Sequence, residues 1–380
     1  MLRILYHGTR KAAFSYTKSM RTRVQAFHRR YRHLIMPIAL IGGFIADIFT
    51  LNRIDQVFDN AILILHLLIV ATAVALLFSR GTPFADRHLS ERRRTWLQAA
   101  VVFSLGALFS GFVIFYTRSG SLITSWPFVA AALALMLGTE FKKQYFYRLQ
   151  LQLVVFAVAV VSWAIFFVPV VIKRMGPVVF LASTVVALVL IGWYLRLLAR
   201  INRHKFRIHQ KKVVTWILGV VLAFNALYFT NILPPIPLSL KYQAVYYEVE
   251  RLYPGYRALY EPSPWYVLWN RRDRTMRWSP GEDLFVFTQV FAPTKLETNI
   301  HHVWQFYDQA NRRWETRSSI PIHISGGRDD GYRGFSTKSS LEYGTWRVKT
   351  ETPNGQTLEI INFKVVPYDG SQLHLVWEEL

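Results

Sequence analysis

The residues best placed to do chemistry are four charged side chains, Asp47, Arg53, Asp55 and Asp59, in the run GFIADIFTLNRIDQVFDN from Gly43 to Asn60. Three carboxylates against one guanidinium leave a net negative charge. In apolar surroundings that composition suits a cation or proton entry site, or a docking point for a later part of the chain. Asp55 and Asp59 are four apart and share a face if a helix begins that early. The same residues also read as architecture: Asp55 or Asp59 caps the open amides of a helix start, while Asp47 pairs with Arg53 and locks a hairpin. The architectural reading is favoured, because helix starts near an interface recruit Asp for this physical reason.

A second charged group lies in SGGRDDG, Ser325 to Gly331, where Arg328, Asp329 and Asp330 precede Arg333. The alternating oxygen ligands and distal glutamate of a calcium loop are missing, so the run reads as a tight connection between strands. If Gly326, Gly327 and Gly331 let the backbone approach a partner closely, these four residues form a recognition edge. A third group, Trp265, Tyr266, Trp269 and Trp278, is interleaved with Arg271, Arg272, Arg274 and Arg277. It would stack on a sugar or an anionic headgroup, or serve as an interfacial belt and core, which is the favoured reading. His301 and His302 are adjacent and face opposite sides of a strand, and a metal reading with His323 or His374 would need a coincidence of folding. No metal site and no cofactor are expected. Nucleophile-elbow, phosphate-loop, dinucleotide and zinc-protease motifs do not occur, and a chain with no cysteine has no thiol chemistry. No catalytic residue is assigned, and the chain is expected not to be an enzyme.

The elements that must position these groups follow from composition. At 52% hydrophobic and 18% charged over 380 residues, the chain is too apolar for one ordinary soluble globule. Its formal charge of +22 is concentrated: residues 1–236 hold 28 Lys and Arg against 6 Asp and Glu, whereas residues 237–380 hold 17 of each. Seven stretches, about 33–51, 58–79, 97–117, 121–139, 150–172, 176–196 and 213–232, are apolar and long enough to cross roughly 30 Å of hydrocarbon. Segments 1–32, 80–95, 140–149 and 197–212 carry 9, 5, 3 and 6 basic residues, and the alternate connections carry only Arg53, Arg118, Lys173 and Arg174. Basic loops stay on the cytoplasmic side, so the amino terminus is expected to be cytoplasmic and the chain after residue 233 extracytoplasmic. The charge is thus accounted for without nucleic acid. Segment 1–32 does not read as a cleavable signal. It reads either as an amphipathic helix on the inner leaflet, with Phe14, Met20, Val24, Phe27 and Tyr31 at helical spacing, or as a partly disordered basic tail. Helix interiors offer His66 and Asn225 but no relay spacing, and His66 reads as a packing residue.

NILPPIPLSLK, Asn231 to Lys241, ends the last span, since its prolines cannot continue a helix. Residues 233–282 are expected to form a proline-containing linker and an aromatic-rich membrane-proximal segment, and 283–380 a β-domain. Its runs at 284–291, 301–307, 314–324, 334–339, 346–352 and 356–366 are β-branched or aromatic and are separated by turn residues. They predict an antiparallel sandwich of immunoglobulin type. Pro353, Asn354 and Gly355 predict a hairpin with Thr352 opposite Gln356, Lys349 opposite Glu359 and Val348 opposite Ile360. That register lays Trp346, Val348, Leu358 and Ile360 on one face. The expected fold is therefore a membrane α-helical bundle of about seven transmembrane helices followed by a C-terminal, extracytoplasmic, all-β immunoglobulin-like sandwich.

Three blocks of the sequence resemble the bacterial integral membrane proteins that share domain of unknown function 2914. They are GFIADIFTLNRIDQVFDN, NILPPIPLSLK, and the outer run VFTQVFAPTKLETNIHHVWQFYD through ISGGRDDGYRGFSTKSSLEYGTWRVKTETPNGQTLEIINFKV. The resemblance implies an integral membrane protein with a terminal all-β module, but supplies no reaction and no site residue. The function expected is that of a polytopic anchor in the bacterial inner membrane, presenting a periplasmic or extracellular module that recognises a protein, glycan or envelope component. A transporter or channel using Asp47, Asp55 and Asp59 is the alternative. A membrane enzyme acting on a lipid-linked substrate is the third class, and it finds no paired catalytic carboxylates beyond that same cluster. The lipid bilayer is the one partner implied directly, and the lack of cysteine fits a periplasmic setting.

Overall fold

The computed structural model describes residues 44–45, 47–49, 51, 56–119, 122–141, 148–234, 237–263, 274–293, 296–327, 331–370 and 372–380. The chain divides into Met1–Thr50 and Leu51–Leu380. In the first unit the described residues, including Asp47, are helical. The second contains seven described helices: α1 (Val57–Phe78), α2 (Pro83–His88), α3 (Glu91–Ser119), α4 (Leu122–Phe141), α5 (Leu149–Ile172), α6 (Pro177–Ile201) and α7 (Arg203–Phe229). Of these, α1, α3, α5, α6 and α7 are long and apolar enough to cross a membrane, and α4 holds a shorter apolar stretch, Ser125–Gly138. Six of the seven expected spans fall on described helices, whereas most of 33–51 lies outside the described residues.

Helices α3 and α5 are the most enclosed, joined by a ladder of rings in which Tyr116 and Phe112 meet Phe166 at 4.6 and 5.8 Å and Tyr116 meets Phe128 at 4.4 Å. By contrast α1, α6 and α7 expose Leu68, Val185, Trp193, Trp216 and Leu222. A surface so apolar is stable against lipid and costly against water. Gly111 admits close contact at the α1–α3 crossing, where an added Cβ would stand 3.4 Å from both Leu51 and Leu63.

Among the described residues eleven strands follow: β1 (Ser239–Tyr246), β2 (Glu248–Leu252), β3 (Gly255–Tyr260), β4 (Thr275–Trp278), β5 (Leu284–Phe291), β6 (Glu297–Asp308), β7 (Arg313–Ser325), β8 (Tyr332–Lys338), β9 (Gly344–Glu351), β10 (Thr357–Pro367) and β11 (Val376–Glu379). They form sheets ordered β1-β5-β8, β4-β10-β9-β6-β7 and β11-β3-β2. All six runs expected in the β-domain are strands. The stretch 233–282, expected as linker and membrane-proximal segment, also supplies β1 to β4. The β1-β5-β8 sheet is buried on both faces. Val245, Leu284 and Val286 meet Trp304, Trp346, Val348 and Phe363 of the five-stranded sheet, while Ala244, Tyr246 and Phe287 meet Val249 and Ala258 of the small sheet. This double burial is why β5 reads as the near-continuous apolar run LFVFTQVF.

The β9–β10 hairpin closes as expected at Thr352, whose amide donates to the Gln356 carbonyl at 2.9 Å. Beyond it the expected register is one residue out. Lys349 faces Ile360 and Val348 faces Ile361, because Leu358 is the extra residue of a bulge between Thr357 and Glu359. The bulge sends Leu358 into a second cluster with Leu238, Val290, Ile300 and Ile324. Ile361, Phe363 and Val365, rather than Ile360, then join Trp346 and Val348 in the main core.

Candidate functional site

In the first hairpin, Arg53 and Asp55 lie outside the described residues and Asp47 is half-buried on a helix. Asp59 is 1% exposed in the first turn of α1. Its charge acts on Arg118, at the end of α3. The Arg118 guanidinium donates through Nη1 to the carbonyl of Leu51, and its own carbonyl accepts from the hydroxyl of Ser239 at the start of β1. The charge of Asp59 thus bears on a basic residue of another helix, distant in sequence, whose own carbonyl is held by the first strand of the β-module. Arg118, bonded to Leu51 and Ser239 and under the charge of Asp59, acts as a clasp between the helices and the β-module.

In the outer loop, Arg328, Asp329 and Asp330 lie outside the described residues. The flanking glycines admit the chain itself. A Cβ on Gly326 would stand 2.0 Å from the Pro293 carbonyl, and Gly331, at φ +90, presses on Val290. The Gly326 and Gly327 amides donate to the Leu296 and Ala292 carbonyls at 2.8 and 3.2 Å. Arg333 sits in β8 and donates through Nη1 to the Leu380 carbonyl at 3.1 Å, so it secures the end of the chain. Trp265, Tyr266 and Trp269 lie outside the described residues. Trp278, grouped with them as a contact or membrane-belt residue, is instead 4% exposed in the main core. Its indole N–H donates to the Glu282 carbonyl at 2.8 Å.

The two adjacent histidines do face opposite ways. His302 is fully buried, with Nε2 3.1 Å from the Thr288 hydroxyl and Nδ1 2.8 Å from the Ser336 hydroxyl, which also accepts from Trp304 Nε1. Burial pushes its pKa down from 6.5 to about 3, so it stays neutral. On the surface, His301 reaches Ser319 and His323 reaches Asn299. Among the described residues no three His, Asp or Glu side chains converge as metal ligands.

Sequence reasoning missed the outer face of the five-stranded sheet. The register sets Tyr307 beside Trp314, and Gln305 between Thr316 and Arg347. The Arg347 guanidinium lies 4.1 Å from the Trp314 ring centre, and the Tyr307 and Trp314 rings are 5.1 Å apart. Gln305 accepts from Arg347 Nε at 2.7 Å and donates to Thr316 at 2.9 Å. Alternation along β6 turns Trp304 inward and Gln305 and Tyr307 outward. The result is a platform of ring faces held among donors and acceptors. The signal was available as polar residues alternating with buried tryptophans in VWQFYD and TWRVK, but it needed the pairing of β6 with both β7 and β9.

Residues 297–365 match a family model described as Protein of unknown function (DUF2914). No curated protein matches. Among solved structures, a β-glucosidase from Listeria innocua in complex with glucose is similar at 15% identity and TM-score 0.19, over 25% of this chain and 15% of that one. The same enzyme with isofagomine is similar at 15% identity and TM-score 0.19, over 30% and 16%. The alkylpurine DNA glycosylase AlkC of Pseudomonas fluorescens, bound to DNA with an abasic-site analogue, is similar at 10% identity and TM-score 0.22, over 83% and 99%. This chain spans about a sixth of the β-glucosidase it matches. Similarities at these scores carry no inference about fold or function.

Proposed function

We propose that the chain is a non-enzymatic, polytopic anchor of the bacterial inner membrane, with a cytoplasmic amino terminus and an extracytoplasmic β-module of immunoglobulin-like sandwich type that recognises an envelope glycan. The observation that carries this reading is the Tyr307–Trp314–Arg347–Gln305 platform. Tyr, Trp and Arg are the side chains that dominate binding energy at recognition surfaces. Rings bordered by fixed amide and guanidinium donors suit the apolar faces and hydroxyl edges of a sugar better than they suit a protein core. Orientation rests on the placement of Lys and Arg in the loops. The facing three- and five-stranded sheets support the sandwich reading. Against the transporter alternative, Asp59 is buried and lies within the field of the Arg118 charge.

The test is binding of the full-length protein, in detergent, to an array of envelope glycans that includes peptidoglycan fragments. Trp314→Ala and Arg347→Ala are each expected to lower affinity at least tenfold, about 1.4 kcal/mol, with unchanged circular dichroism. Absence of glycan binding by the wild type, or equal binding by both variants, refutes the reading.

A further inference from the structure

At the opposite end of the helical bundle from the Asp59–Arg118 clasp lies a cavity of about 200 Å³. Arg80, after the end of α1, Arg94, near the start of α3, and Lys205, near the start of α7, line it together with Glu91 and Gln152. Among the described lining residues three cations therefore face a single carboxylate, and that carboxylate is already taken, with Glu91 2.8 Å from Arg94 Nη1. The charges of Arg80 and Arg94 both bear on Lys205. Lys205 Nζ donates to the Phe78 carbonyl at 3.3 Å, a neutral acceptor that cancels no charge.

Two further donors remain open. Gln152 is 1% exposed, and its Nε2 is buried with no hydrogen-bond partner. Arg94 Nε is buried and unpartnered in the same way. A buried donor left open is destabilising, and native proteins seldom leave one without an ion or a water. Water would satisfy the two N–H groups but leave the surplus positive charge among apolar helices. The amino-terminal turns of α3, α5 and α7, which bring Arg94, Gln152 and Lys205 here, add the positive ends of three helix dipoles. The surplus cations and the two open N–H groups ask for an acceptor-only anion with several oxygens, and a phosphate group is that ligand.

We propose that this cavity binds a phosphate group through Arg80, Arg94, Lys205 and Gln152. The group comes either from the headgroup of an anionic phospholipid, which basic pockets between membrane helices accommodate, or from soluble phosphate. The proposal is independent of the glycan platform and uses the membrane reading alone.

The test uses delipidated full-length protein in detergent. One arm titrates phosphatidylglycerol and phosphatidylcholine under native mass spectrometry. The other compares inorganic phosphate with chloride at equal ionic strength in thermal unfolding. A lipid source gives preferential retention of phosphatidylglycerol, and a soluble source gives a rise in Tm with phosphate. Whichever effect the wild type shows is expected to fall at least tenfold in apparent affinity in Gln152→Leu and in the double variant Arg94→Gln, Lys205→Gln, and to persist in Arg200→Gln, on an exposed position outside the cavity. If the double variant does not fold, Gln152→Leu decides. A wild type that prefers neither phosphatidylglycerol nor phosphate, or an effect that Arg200→Gln removes as fully as the cavity variants, overturns the proposal.

Discussion

His302 couples the β-module to pH. Its pKa is about 3 when folded against 6.5 as the unfolded reference, so between those values the unfolded chain binds a proton that the folded chain refuses. Stability is therefore complete above pH 6.5 and falls as pH drops towards 3, by up to about 1.4 kcal/mol per unit. Tryptophan-fluorescence melts of the full-length protein at pH 8 and pH 5 are expected to show a lower Tm for the module at pH 5. His302→Gln, which cannot titrate, should lose most of that difference; an equal drop in the variant would assign the effect to another group. The sequence showed that His301 and His302 face opposite sides of a strand, but not which one is buried. That depends on Thr288 and Ser336, supplied by β5 and β8, and no local pattern reports such a pairing. For a related reason the sequence does not separate belt from core at Trp278. An aromatic among arginines looks like a surface residue until β4 is seen to pair with β10 and to turn Met276 and Trp278 into the core.

At the scale of elements, period was legible and partnership was not. Apolar length announced α1 and α3 to α7, and β-branched or aromatic runs between turn residues announced β5 to β10. The bulge at Leu358 escaped because its cause lies outside the hairpin, in a second cluster with room for a leucine. The same holds for the clasp between α1, α3 and β1. The sequence pairs Asp47 with Arg53, which lies outside the described residues, and does not show that the charge of Asp59 bears on Arg118 of another helix. If Asp59 and Arg118 form one electrostatic unit, removing one partner should cost more than removing both. Arg118→Leu alone is expected to destabilise by about 2–3 kcal/mol, since it leaves a buried carboxylate uncompensated. Adding Asp59→Leu should recover more than half of that loss in denaturant unfolding of the full-length protein. Additive losses would mean that the two residues act separately.

For the whole molecule, the decisive question is whether α4 crosses the membrane, because its apolar stretch, Ser125–Gly138, is shorter than those of the five long helices. The two ends of the bundle answer it. Helix α3 begins beside the cationic cavity and ends at Arg118, next to β1, while α5 begins at that same cavity, where Leu149 and Gln152 line it. The chain between Ser119 and Leu149 must therefore return along the length of the bundle. Helix α4, at 20 residues, is about 30 Å long and matches the hydrocarbon thickness. On the proposed reading five crossings, an odd number, would separate Ser90 from Asn311 and set the basic loop and the β-module on opposite sides, as the loop charges predict. Because the chain has no cysteine, single exposed substitutions make this measurable without a background to remove. A membrane-impermeant maleimide applied to cells with a permeabilised outer envelope is expected to label Asn311→Cys fully. Ser90→Cys should react only after the inner membrane is broken. Equal labelling of both positions before lysis would mean an even number of crossings and would take α4 out of the membrane. Labelling of Ser90→Cys alone would reverse the orientation, and the glycan platform would then face the cytoplasm, where it would meet no envelope glycan.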